Sequence, residues 1–190
     1  NGTFMAFTRN NYETEKKDRV IHLEICFSNL KDGKWSDPEP FYLNNINYSV
    51  GHPSLSADGN SMYFSSDMPG GYGGVDIYKT TRIAEGQWTT PVNMGNKINT
   101  EGDEMFPFYE EKNGILFFAS NGRYGLGGLD IFICAEHGRV VNAGAPLNTH
   151  YDDFAVIVDS SLDKGYFSSN RAGGTGGDDI YSVDLLKGLD

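Results

Sequence analysis

Short apolar runs alternate with polar, turn-forming segments along the whole chain. Ser61-Met62-Tyr63-Phe64-Ser65, Ile115-Leu116-Phe117-Phe118-Ala119 and Lys164-Gly165-Tyr166-Phe167-Ser168 are each the length of one strand. The first of them follows Ala57-Asp58-Gly59-Asn60, and Asp-Gly is a strong hairpin signal. No window sustains the apolar spacing of an amphipathic helix, because Gly, Pro, Asn or a β-branched run interrupts every candidate. The pattern predicts many short strands and no long helix.

The strands repeat. Phe64-Ser65-Ser66-Asp67 through Gly70-Gly71-Tyr72-Gly73-Gly74 to Val75-Asp76-Ile77-Tyr78 aligns without gaps with residues 118–132 and 167–181. The copies share a glycine-rich loop and an Asp-Ile-aromatic ending, Asp76-Ile77-Tyr78, Asp130-Ile131-Phe132 and Asp179-Ile180-Tyr181. A degenerate copy precedes them: Phe7-Thr8-Arg9-Asn10, a charged insertion from Tyr12 to Arg19, then Leu23-Glu24-Ile25-Cys26. A second element, Gly33-Lys34-Trp35-Ser36-Asp37-Pro38, recurs as Gly86-Gln87-Trp88-Thr89-Thr90-Pro91. In the third unit it aligns with Gly138-Arg139-Val140-Val141-Asn142-Ala143.

Each unit reads as four short antiparallel strands, with the third starting at the conserved-in-register aspartate and the fourth near Trp88 to Val92. Four strands per unit at a period near fifty residues is the signature of propeller blades. One blade cannot bury both faces alone, so neighbours must stack. The fold class is therefore all-β: a β-propeller or partial propeller of about four four-stranded blades, one domain over 1–190 with units near 1–46, 47–102, 103–150 and 151–190.

Composition agrees with this reading. The 24 glycines, 12 Phe and 11 Tyr suit strands and tight turns. The net charge is −11 with no basic stripe, which excludes nucleic acid and anionic membrane surfaces as partners on electrostatic grounds. No run reads as a signal peptide or a membrane span, and any targeting segment would lie upstream of Asn1. Cys26 and Cys134 fall at inequivalent positions of non-adjacent units and are expected to be buried free thiols. His22, His52, His137 and His150 show no metal-ligand spacing, so neither a metal site nor a cofactor is expected.

Two sets of carboxylates carry the candidate chemistry. Asp76, Asp130 and Asp179 end the glycine loops, and their expected role is to accept loop amides and fix the loop shape. The loops precede strands, not helices, which argues against phosphate binding. They are expected to use glycine for positive φ. Asp103 and Glu104 align with Asp152 and Asp153 before each first strand, near the channel mouth of a propeller. These four are the candidate binding residues, for a cation or a basic partner. A glycosidase needs one acid and one base placed uniquely, whereas these recur, so no catalytic residue is assigned. Trp35 and Trp88, at matching positions, are expected to pack between blades.

Pro53-Ser54-Leu55-Ser56-Ala57-Asp58-Gly59, followed by Met62-Tyr63-Phe64-Ser65-Ser66-Asp67 and Asp76-Ile77-Tyr78, resembles the TolB-type, WD-repeat-like propeller repeat. The Ser-Ser-Asn-Arg wording at 168–171, with the Gly-Gly-x-Gly-Gly loop and Asp-Ile-Tyr after it, is similar to propellers of OmpA-family envelope proteins of Bacteroidetes-type bacteria. Within them it is most similar to the PorE-like peripheral component of the type IX secretion system. The resemblance implies a periplasmic, outer-membrane-associated scaffold that binds protein partners of the cell envelope. Peptidoglycan would be reached only through a separate OmpA-like domain. The expectation is a non-enzymatic interaction module; the alternative is a carbohydrate-binding or glycoside-processing propeller.

Overall fold

A computed structural model describes residues 2–11 and 20–185; the charged insertion from Tyr12 to Arg19 lies outside the described residues. Sixteen strands form four antiparallel sheets, and no α-helix occurs among the described residues. The sheets are the blades of a β-propeller.

The first sheet holds β1 (Phe4–Asn10), β2 (Leu23–Lys31), β3 (Lys34–Trp35) and β4 (Glu39–Pro40). The second holds β5 (Val50–Leu55), β6 (Ser61–Ser66), β7 (Asp76–Ala84), β8 (Gln87–Trp88) and β9 (Val92–Asn93). The third holds β10 (Glu104–Glu110), β11 (Ile115–Ser120), β12 (Asp130–Ala135) and β13 (Val140–Asn142). The fourth holds β14 (Asp153–Val158), β15 (Lys164–Ser169) and β16 (Asp179–Asp184). The uniform four-strand unit of the sequence reading therefore varies. The second blade's outer strand is split into β8 and β9, and the fourth sheet has three strands.

Register shows which strands correspond. Phe64 pairs with Tyr78, Phe118 with Phe132 and Phe167 with Tyr181. Phe7 pairs with Cys26 in the same way, so β1 occupies the second-strand position of its blade. The innermost strands are β5, β10 and β14. Each carries a bulge, between Gly51 and Ser54, Met105 and Phe108, and Phe154 and Ile157. At each bulge one residue turns left-handed: His52, Phe106 and Ala155, at φ 53, 52 and 52°. Three unlike side chains share this conformation, so the strain belongs to the blade geometry, where the bulge re-aims the strand.

The core lies between the blades. Ile25 and Phe27 of the first sheet meet Met62, Phe64 and Tyr78 of the second. Tyr63 and Ile77 of the second meet Leu116, Phe118 and Phe132 of the third. Phe117 and Ile131 of the third meet Val156 and Phe167 of the fourth. The middle strands β6, β7, β11 and β12 thus bury both of their faces, one on each neighbour, which is why their residues read as nearly continuous apolar runs. In the fourth sheet the same forward face is open: Ile180 is 78% exposed where Ile77 and Ile131 are 0% exposed.

Candidate functional site

The loop aspartates lie at the first residue of β7, β12 and β16. Tyr72 N–H donates to Asp76 Oδ2 at 2.6 Å, and Leu126 and Gly127 N–H donate to Asp130 Oδ2 at 2.9 and 3.0 Å. Thr175 and Gly176 N–H donate to Asp179 Oδ2 at 2.9 and 3.1 Å. The Gly176 amide, helped by the Thr175 hydroxyl, holds the Asp179 carboxyl below the usual carboxylate range. Asp76 Oδ1 and Asp130 Oδ1 are buried without a protein donor, because neither Tyr72 nor Leu126 carries a hydroxyl on its β-carbon, as Thr175 does.

The glycines of these loops serve a purpose other than the expected one. Only Gly70 and Gly173 among them have positive φ, 96 and 99°. All the others except Gly176 and Gly177 are needed for close approach. A Cβ at Gly71, Gly125 or Gly174 would overlap the loop carboxylate. A Cβ at Gly73 would overlap the Thr100 carbonyl of the next linker, and one at Gly127 the Tyr151 carbonyl. The loop is thus pressed against the chain entering the next blade. Gly127→Ala is expected to destabilise the fold by about 1–3 kcal/mol, the cost of forcing atoms into a packed site. Chemical denaturation with urea would show it, and Gly177→Ala, where a Cβ meets open space, is the control.

The four candidate binding carboxylates are brought to the same seams. Val75 N–H donates to Asp103 Oδ1 at 2.9 Å and Leu129 N–H to Asp152 Oδ1 at 2.8 Å, each reaching back to the preceding loop. Asn121 and Asn170 side chains donate to the other oxygens, Asp103 Oδ2 and Asp152 Oδ2. Glu104 and Asp153 are the first residues of β10 and β14, inside the strands and fully buried. Glu104 accepts from Thr100 N–H, the Thr100 hydroxyl and the Ser120 hydroxyl. Asp153 accepts from Thr149 N–H and its hydroxyl, and pairs with Arg171 at 2.6 Å. Protein donors meet all four carboxylates: Asp103 and Asp152 clamp one blade to the next, and Glu104 and Asp153 fix the linker onto the blade it enters.

Sequence reasoning missed the partners of these clamps. Asn99 is buried, accepts Ile77 N–H and donates to Ile77 O; Asn148 does the same with Ile131. Asn44 bridges Ile25 in the first blade. The signal was present: Gly95-x-x-Ile98-Asn99-Thr100 recurs as Gly144-x-x-Leu147-Asn148-Thr149. Arg123 and Arg171 were also missed; they cap the carbonyls of Lys97 and Ile98, and of Pro146 and Leu147.

The inner strands meet along an apolar strip. His52 stacks on Phe106 at 3.9 Å, and Phe106 meets Phe154 in a tilted pair at 4.8 Å, beside a 350 Å³ cavity edged by Pro53, Leu55, Pro107 and Val156. Burial pushes the His52 imidazole down to about 4, and its Nδ1 has no protein partner. A base whose folded pKa lies below its unfolded value stabilises nothing above pH 6.5 and costs stability as pH falls from there to about 4. The expected loss is at most about 1.4 kcal/mol per pH unit in that window. His52→Phe should flatten that part of the pH profile, since Phe106 already occupies the same post in the next blade. An unchanged profile would show that His52 does not titrate in this way.

Both cysteines are free and buried. Among the described residues no group of three or more His, Cys, Asp or Glu is placed to hold a metal ion. Among the described residues no helix is long and apolar enough to cross a membrane.

No protein-family profile matches the chain, and no curated protein matches it. Solved structures do. A TolB of Agrobacterium tumefaciens is 18% identical at a TM-score of 0.55, covering 85% of this chain and 57% of that one. A puromycin-hydrolyzing peptidase of Mycobacterium tuberculosis is 18% identical at 0.58, covering 98% and 26%. A thermostable family-43 glycoside hydrolase is 13% identical at 0.56, covering 95% and 67%. The chain thus spans little more than half of the TolB and about a quarter of the peptidase. These likenesses show the fold, which hosts peptidases and glycosidases as well as TolB.

Proposed function

We propose that this chain is a non-catalytic protein-interaction platform of the bacterial cell envelope, part of an OmpA-family protein of the type IX secretion system. One observation carries the non-catalytic reading. The carboxylates that recur from unit to unit are bound to amides, hydroxyls and an arginine of the chain itself: Asp103 and Asp152 join one blade to the next, and Glu104 and Asp153 tie the entering linker to its blade. What the domain offers is then the surface of a rigid array, not a reaction centre. The envelope and secretion-system assignment rests on the repeat's sequence resemblance, and the excess of acid over base suits neutral or basic protein partners.

The test is capture from envelope extracts of a Bacteroidetes-type bacterium, with recovered proteins identified and binding measured against salt. Charge-assisted binding should weaken as ionic strength rises. A parallel screen on glycosides, esters and peptides should show no turnover. Turnover lost on changing a single carboxylate would replace this reading with a hydrolase, and recovery of duplex DNA or anionic vesicles would contradict the partner class.

A further inference from the structure

The repeat's tryptophan marks a post that one seam leaves empty. Trp88, on the β7–β8 hairpin, reaches back to the first blade, where it stacks on Phe27 at 5.5 Å and meets Phe41 edge-on at 6.3 Å. At the next seam Lys79 stands where Phe27 stands, paired to Tyr63 as Phe27 is to Ala6. Met94 stands where Phe41 stands, donating its N–H to Ile77 O as Phe41 does to Ile25 O.

No tryptophan follows. Sequence aligned Trp88 with Val140, but register corrects this: Asn142 faces Phe132 as Asn93 faces Tyr78, so Val140 matches Pro91. The third blade's hairpin is five residues shorter, and the residues that carry Trp88 are the ones missing. Where an indole would sit there is instead an open cavity of 270 Å³, lined by Tyr63, Lys79, Met94, Tyr109, Cys134 and Glu136 among others. Tyr63 and Tyr109 stack at 4.9 Å to form one wall, and Lys79 Nζ lies 5.1 Å from the Tyr63 centroid.

We infer that this cavity receives a tryptophan side chain from a partner protein, in the post that Trp88 fills one blade earlier. This rests on the interaction-platform reading and names its anchor. The volume falls just below the range of about 300–1,000 Å³ usual for small-molecule pockets and suits a single large side chain. Interface energy concentrates in such anchors, with Trp foremost. Lys79 replaces the stacking ring of Phe27 with an ammonium, which attracts the face of an indole.

The test titrates the chain with the peptide Gly-Gly-Trp-Gly-Gly, its tryptophan fluorinated at position 5 and followed by fluorine NMR, against the unlabelled Leu counterpart as competitor. The Trp peptide should bind more tightly than the Leu peptide by about tenfold, the scale of one anchor contact. Replacing residues 136–139 by the nine residues 82–90 transplants the longer hairpin. It should fill the cavity and abolish binding, and the same graft carrying Ala in place of its Trp should restore it. Tyr109→Ala removes one wall by a single change and should weaken binding without any graft. Equal binding of Trp and Leu peptides, or wild-type binding by Tyr109→Ala, would overturn the inference. Proteins captured equally by the wild type and the graft would leave the interaction platform standing and reject this anchor; no captured protein together with peptide binding would do the reverse.

Discussion

Arg171→Ala is expected to destabilise the chain by about 3–5 kcal/mol, the range for stripping one partner from a buried ion pair. The Asp153 side chain is fully buried and that of Arg171 is 19% exposed, with Nη2 and Oδ1 2.6 Å apart. The guanidinium also donates to Pro146 O, Leu147 O and Ser169 Oγ, and lies over the rings of Phe167 and Tyr181. Without it the carboxylate keeps only the Thr149 amide and hydroxyl. Arg123 supplies the internal comparison. It caps the Lys97 and Ile98 carbonyls in the same manner but makes no ion pair among the described residues. Arg123→Ala should therefore cost clearly less in a urea titration. Equal losses would show that carbonyl capping, not the ion pair, dominates at position 171. The double change Arg171→Ala with Asp153→Ala should recover part of the loss, since no buried charge is then abandoned.

Asn148→Ala is expected to cost about 1–3 kcal/mol, because it orphans the backbone N–H of Ile131 at a fully buried seam, while Ile131 O keeps the Ala143 amide. Asn148 accepts Ile131 N–H at 2.8 Å and donates to Ile131 O and Asn142 Oδ1, both at 2.8 Å. Ile131 pairs with Ala119 on one side, and on the other its O accepts the Ala143 N–H while its own N–H meets only Asn148. The asparagine side chain thus imitates the missing strand. Asn148→Asp separates shape from chemistry: it keeps the volume and the acceptor but cannot donate to Ile131 O. It should fall near the Ala variant in urea midpoint. Wild-type stability of either variant would mean that the linker is held by its own backbone turn alone.

Strand identity was legible because a blade strand buries both faces, so Met62 to Ser65 or Leu116 to Ala119 form unbroken apolar or small runs between turns. The three Asp-Ile-aromatic endings marked the third strands, since the loop needs one carboxylate where it turns into the strand. Both follow from local chemistry that each unit repeats.

What depended on contact between units was not legible. The loop glycines read as a need for positive φ, whereas Gly73 and Gly127 are required by carbonyls twenty or more residues away. Asp103 and Glu104 read as a loop pair, yet one points back to Val75 and the other is sealed inside β10. The lost tryptophan post was hidden by an alignment that conserved the glycine of the turn instead of the hydrogen-bond register. A repeat specifies its own hairpins through short-range turns and alternation. How far two blades approach, and what the seam between them lacks, is set by side chains that meet only after the blades have stacked.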